Sequence, residues 1–337
     1  MCNFLAASIF FLVPSHALAH ASYLIGDDHV RAAMGRDYAF FLTPLSNPFY
    51  VFLIIATIFF IIALHAIIRN SAFLIELCMR MCERAKSYEE YIPLILRLSV
   101  GLALLDLMGL AQAIIVPLLP YIPHTAFVQA TLAFSFLAGF LLAPAILLAI
   151  LLFFFSLVTF FGTITFLNLI GDLDFFASVI ALLILANPKP GLDDVLGISF
   201  FSPFTKLKAY VPLILRIGMG STLVFLAFYE KILNPHVAET LVLHYHLTSI
   251  IPVSVEMWVF TAGIIELLAG FFLFVGFHTR TVAAAFFAVI SLSFLYFGEL
   301  VYPHTTIFGV MAILFITGGG LVSIDEWWKN RLHSHSI

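Results

Sequence analysis

Polar residues fall in a few short clusters along the chain, and the apolar runs between them are long enough to cross a bilayer, which takes about 20 helical residues. The first run extends from Pro48 to His65. Others follow at roughly 91–119, 126–144, 145–167, 173–187, 210–233, 256–277, 280–297 and 304–322. The pattern predicts an all-α, polytopic membrane protein with about nine transmembrane helices. Ahead of them, Phe4 to Val13 is apolar and is followed by Pro14 and Ala17-Leu18-Ala19, the shape of a signal peptide (residues 1–19) with an A-x-A cleavage site. Cleavage there leaves His20 as the mature N-terminus, and an uncleaved anchor is the alternative. Ser71 to Glu90 is charged, with Phe73, Leu74, Leu77, Cys78, Met81 and Cys82 at helical spacing, and is expected to lie along the membrane surface.

The apolar runs are not independent. Tyr91-Ile-Pro-Leu-Ile-Leu-Arg97 returns as Tyr210-Val-Pro-Leu-Ile-Leu-Arg216, and Leu137-Ala-Gly-Phe140 returns as Leu268-Ala-Gly-Phe271. Each motif opens or interrupts a set of four runs, so the chain reads as two related four-helix bundles, 91–187 and 210–325. Residues 20–90 supply a periplasmic segment, one separate span and the amphipathic helix. Residues 188–209, rich in Pro, Gly and charge, make a cytoplasmic linker, and 326–337 a cytoplasmic tail.

Composition agrees with a membrane protein and excludes several classes. The chain is 63% hydrophobic and 10% charged, too little polar surface for a soluble globule of 337 residues. No basic patch points to nucleic acid, and three cysteines imply no disulfide framework. If His20 starts outside, 12 of the 15 Lys and Arg residues fall inside and only Arg31, Arg36 and Lys231 fall outside. That orients the chain with a periplasmic N-terminus and a cytoplasmic C-terminus, and the location expected is the bacterial inner membrane. The partner these observations imply is the lipid bilayer.

Three groups could carry chemistry. Glu266 stands near the middle of a span, where a carboxylate is costly unless it faces a partner or a wet cavity. Glu230 and Lys231 end the preceding span, and Glu299 and His304 flank the last outer turn, so these five residues are expected to gather as catalytic groups at one polar mouth. The plain alternative is an ion pair that locks helices together. Histidines form the second group. His20, His29, His244 and His246, with other outer histidines, could bind copper or zinc, a free His20 amine favouring Cu(II). Cys78 and Cys82, one helical turn apart, are expected to pack on an apolar face. No P-loop, dinucleotide fingerprint, haem motif or zinc-protease motif occurs.

The second bundle resembles the DoxX family. The resemblance rests on Arg216 with Gly220, on Tyr229-Glu-Lys-Ile232, on Glu266-Leu-Leu-Ala-Gly270 running to Gly276-Phe-His-Thr-Arg280, and on the close Gly318-Gly-Gly-Leu-Val-Ser-Ile-Asp325. It implies a four-helix membrane bundle of a family associated with redox processes, some members being linked to quinone, and with it a periplasmic or membrane redox protein as partner. Quinone is therefore the ligand considered first, with Arg216 and Lys231 as its binding residues. A non-catalytic assembly or scaffold subunit is the remaining alternative. The first bundle looks like a degenerate copy. Aligned on the Tyr-x-Pro motif, Ala111-Gln112 stand where Glu230-Lys231 do. Aligned on Leu-Ala-Gly-Phe, Ser135 stands in place of Glu266 and Ala149 in place of Arg280, while Asp106 is a new acid where the second bundle has Phe225.

Overall fold

The computed structural model describes residues 27–105, 125–161, 164–185, 191–198, 204–298, 301 and 304–334. The proposed signal peptide, His20, Asp106, Gln112, His124 and Glu299 lie outside the described residues. Every regular element among the described residues is helical.

Two short helices, α1 (Asp27–Ala33) and α2 (Tyr38–Leu42), precede a 3₁₀ turn and the long helix α3 (Pro48–Asn70). Asp37 caps α2, its carboxylate accepting the Phe40 N–H at 2.9 Å. The chain bends by 83° between the Tyr38–Ser46 and Pro48–Phe59 segments. Helix α4 (Ala72–Lys86) is the amphipathic segment, with mixed charge and basic residues Arg84 and Lys86 in its last turn.

The first half then contributes α5 (Ile92–Leu105), α6 (Thr125–Ala138), α7 (Leu142–Thr159), α8 (Ile164–Gly171), α9 (Leu173–Leu185) and the one-turn α10 (Leu192–Val195). The second half contributes α11 (Val211–Leu226), a π-helical segment (Ala227–Leu233), α12 (Pro235–His244), α13 (Val255–Val275), α14 (Thr279–Phe297), α15 (Thr305–Thr317) and α16 (Ile324–Ser334). Among the described residues, four helices are long and apolar enough to cross a bilayer: α7, α11 with its π extension, α13 and α14; the bent N-terminal pair raises the number to five. Of the other four apolar runs, 91–119 lies partly outside the described residues and three fold as shorter helices. Helices α6, α9 and α15 have 14, 13 and 13 residues, so each extends only about 20 Å at 1.5 Å per residue.

The two halves pack reciprocally. Helix α5, which opens the first half, lies against α15 of the second, and α11, which opens the second, lies against α9 of the first. Small residues allow both approaches: Gly309 of α15 faces Ser99 of α5, and Gly218 of α11 faces Ala177 of α9. One continuous core results, in which Leu96, Val100, Leu182, Leu215, Met219 and Met311 are all buried.

Each half also closes a corner of the same construction. In the second, Gly276 ends α13 at φ 70°, and the Asp325 carboxylate accepts the N–H groups of His278 (2.7 Å) and Thr279 (2.9 Å) that open α14. The Asp325 N–H in turn donates to the Gly276 carbonyl at 3.0 Å. In the first half, Gly139 stands at φ 64°, and Asp193 accepts from Leu141 (2.8 Å) and Leu142 (3.1 Å) at the start of α7. Its N–H donates to the Gly139 carbonyl at 2.9 Å. A carboxylate suits a helix N-terminus because it satisfies orphan N–H groups and meets the positive end of the helix dipole.

A buried arginine completes each corner, Arg216 against Gly276 and Arg97 against Gly139, so closely that any Cβ on either glycine would collide with the guanidinium. This correspondence replaces the Leu-Ala-Gly-Phe alignment. Gly270 lies inside α13, whereas Gly139 ends a helix as Gly276 does. Ten residues before these two glycines stand Gln129 and Glu266, so Gln129, not Ser135, occupies the matching place, and Ala143 rather than Ala149 matches Arg280. Both corners lie at the same end of the molecule. The starts of α5 and α11 (Ile92, Pro93, Val211 and Pro212) and the ends of α9 and α15 (Leu185 and Thr317) line one groove there.

Candidate functional site

The opposite end of the second half carries a cavity of about 420 Å³, enclosed by α11, its π extension, α12, α13, α14 and the start of α15. Its lining is apolar apart from Glu230, Lys231, Thr261, Glu266, Ser293 and His304. Four of the five catalytic candidates therefore share one chamber.

Local backbone chemistry puts them there. Helix α11 loosens into π turns at Ala227–Leu233. A π segment inserts residues without breaking the helix and re-aims side chains, and it is common at functional sites. Tyr229 is buried, its ring stacked on Phe225 with centroids 5.5 Å apart. The Asn234 amide donates to the Tyr229 carbonyl at 2.9 Å, and Pro235, which cannot continue the helix from within, starts α12. Glu230 and Lys231 are held inside this widened turn.

Lys231 Nζ lies 2.7 Å from Glu266 Oε2 and 3.6 Å from Glu230 Oε2. All three side chains are 15–19% exposed. One cation between two carboxylates gives the triad a formal charge of −1 when all are ionised, so the arrangement has the chemistry to take up a proton or a hydrogen-bonding group. Glu266 is 11 residues into α13, about 16 Å from its start. Gly263 admits this geometry: a Cβ there would lie 3.2 Å from Lys231 Cβ and 3.1 Å from Phe41 Cε2. His304 is buried before the first turn of α15, its ring 5.0 Å from that of Phe294.

Arg216 is placed elsewhere. It is 1% exposed at the corner end, where it donates to the Phe274 carbonyl at 3.2 Å and to the Val322 carbonyl. There it ties α11 to the end of α13 and to the segment before α16, away from the cavity. Arg280 does similar work, donating to the Ile316 carbonyl at 2.9 Å and so holding α14 to the end of α15. Ser323 accepts the Glu326 N–H at 3.1 Å and caps α16.

The histidines are dispersed. His29 and His244 are exposed, His246 sits at φ 50°, and no three His, Cys, Asp or Glu side chains converge as a metal cluster among the described residues. Cys82 is a half-buried free thiol.

Two arrangements escaped the sequence reading. His236 bridges Glu239 (Nδ1 to Oε2, 2.5 Å) and Asp37 (Nε2 to Oδ2, 3.2 Å), with the Phe40 ring 4.7 Å away, and so fastens the N-terminal segment to α12. The Glu239 bond, with Asp37, holds the His236 imidazole above its ordinary value, while the Phe40 N–H, with His236, holds Asp37 below the usual carboxylate range. The second is Asp174, buried between the halves, whose N–H donates to Thr222 Oγ1 at 3.1 Å. The acidic pair in Gly171-Asp-Leu-Asp174, inside an apolar run, was the available signal.

Fold and site together define a multi-pass, all-α membrane protein whose described residues form a cavity that holds charged groups in the second half. Within it, residues 211–299 match the DoxX family model and form a DoxX-like domain, which includes every described cavity residue except His304 and Ile307. No curated protein and no solved structure matches the chain.

Proposed function

We propose that this chain is a DoxX-type inner-membrane subunit of a quinone-linked redox system, and that the cavity of its second half holds the quinone headgroup. The observation that carries the reading is the Lys231–Glu266 contact of 2.7 Å inside an otherwise apolar chamber. Buried charged groups within a bilayer are costly and mark ligand and proton pathways. A volume of 420 Å³ suits a small ring with substituents.

In this reading Lys231 donates a hydrogen bond to one quinone oxygen. Reduction to the quinol takes two electrons and two protons. The electrons come from the redox group of a partner protein, and Glu266 and His304 pass the protons from the side of the membrane that α12 faces. Arg216 serves the architecture of the domain. The first half is a degenerate copy of the second, as the two matching corners suggest, with Gln129 in the place of Glu266. The chain is oriented with α12 toward the periplasm, as its distribution of Lys and Arg favours.

The test is extraction of quinone from the detergent-purified protein, combined with quinone-dependent turnover by membranes carrying the unaltered chain or Glu266→Gln. Quinone should co-purify, and Glu266→Gln should remove turnover while folded protein remains in the membrane. Normal turnover in Glu266→Gln would exclude that residue from the mechanism.

A further inference from the structure

We infer that the cavity is loaded sideways from the lipid, between α13 and α14, by a molecule with a long apolar tail and a hydrogen-bond-accepting ring. This rests on the quinone-site reading and adds its route and the class of occupant.

The end of the cavity nearest α12 is covered. Leu241, Trp258 and Phe297 line it there. Above them the turn after α12 is fastened to the end of α14, since the Tyr296 hydroxyl donates to the Tyr245 carbonyl at 2.9 Å and the Tyr245 ring lies 4.5 Å from that of Phe297. On the far side the His236–Asp37 bridge fastens α12 to the N-terminal segment. A water-soluble molecule arriving from that end meets two ties and a layer of rings.

The flank is different. Ala262 and Ile265 of α13 and Val289 of α14 line the cavity and yet are exposed on the outside of the bundle, Ile265 by 54% and Val289 by 55%. A residue that lines a chamber and also faces outward stands at its rim. On α13 the lining positions 258, 261, 262, 265 and 266 form one helical stripe, and on α14 so do 286, 289, 290, 293 and 297. The two stripes face each other across a seam about 12 Å long. In a bilayer this seam opens onto acyl chains, while Lys231, Glu266 and His304 lie at its inner wall. A headgroup that accepts a hydrogen bond fits the wall, and an isoprenoid or alkyl tail fits the seam and the lipid beyond it.

The experiment uses the full chain in phosphatidylcholine nanodiscs with Trp327→Phe and Trp328→Phe, so that the cavity residue Trp258 reports quenching by quinone. A decyl-substituted benzoquinone should quench it saturably. Ile265→Phe with Val289→Phe, which fills the rim, should raise the half-saturating quinone fraction roughly tenfold or more. Leu268→Phe, on the exposed side of the same helix but outside the lining, should leave it unchanged and controls for folding. Phosphatidylcholine brominated in mid-chain should quench Trp258 without any rim substitution. Saturable quenching that ignores the rim pair, or equal binding of a tail-less dimethoxy-benzoquinone, overturns lateral loading and leaves the quinone site standing. No saturable quenching by either quinone overturns both.

Discussion

Lys231 and Glu266 meet at 2.7 Å although one stands on a π turn and the other in the interior of a neighbouring helix. Each is the main solvation the other has. Lys231→Met should therefore leave Glu266 and Glu230 buried together and cost about 3–5 kcal/mol of stability, the usual penalty for breaking a buried pair. Lys231→Met with Glu266→Gln removes both charges and should recover most of the loss in thermal stability in detergent without restoring turnover. A double variant as unstable as the single one would mean that the contact contributes through packing rather than charge.

Gly263 sets how closely Lys231 and Phe41 approach α13. Gly263→Ala, with a Cβ at 3.1–3.2 Å from both neighbours, should be tolerated after a small shift. Gly263→Leu should displace the lysine stem and Phe41, lowering quinone binding at least as much as Glu266→Gln does. Equal binding by Gly263→Leu and the unaltered chain would show that the stem has room to spare.

The corner residues should behave as architecture. Asp325→Asn loses the charge that meets the start of α14 and should cost about 1 kcal/mol, within the range for a helix cap. Arg216→Ala removes donors to two backbone carbonyls on different segments and should cost more. In both, the fraction that remains folded should bind quinone normally. Weakened binding in a fully folded Arg216 variant would return that residue to the site.

The His236 bridge predicts a pH dependence confined to the N-terminal segment. Its folded imidazole titrates above the unfolded value of about 6.5. The stabilisation is thus fully present below that value and is lost as pH rises through the folded one. Asp37, Glu239 and the Phe40 ring are the groups that face it. Protease nicking between α1 and α3 should increase from pH 6 toward pH 9, and His236→Gln should be nicked equally at both. A flat profile in the unaltered chain would show that the bridge does not hold the segment.

Much of this was legible in the sequence for specific reasons. An acid in the middle of an apolar run, together with a charged pair at the end of the preceding one, announces a shared chamber because isolated charges are not tolerated there; hence Glu230, Lys231, Glu266, Glu299 and His304 group together in sequence, and all but Glu299, which lies outside the described residues, line the cavity. The DoxX resemblance was readable as an ordered set of motifs, but sequence does not reveal which motif is chemistry and which is carpentry. Arg216, Asp325 and Glu266 look alike in sequence, whereas the structure puts Arg216 on two carbonyls, Asp325 on two helix-opening amides and Glu266 in the cavity. The Leu-Ala-Gly-Phe echo misled because identical letters fell at different depths, inside a helix in one half and at its end in the other. Helix length is hard to read for a related reason: the apolar runs at 126–144, 173–187 and 304–322 are longer than the helices described within them, because hydropathy does not separate turns and caps from helix. The His236 bridge joins residues 199 apart in sequence, and no local pattern encodes it.

The shared groove at the corner end has a consequence for how such a molecule could move. Transporters that alternate access commonly set two halves head to tail, so that rocking exposes a central site to one side and then the other. Here both halves begin and finish around the same groove, and so they point the same way. Turning one against the other about the direction of the helices exchanges neither face of the membrane. Access to the Lys231 chamber is then a matter for the seam between α13 and α14, within one half, while the corner that joins those two helices at Gly276 is pinned by Arg216 and Asp325.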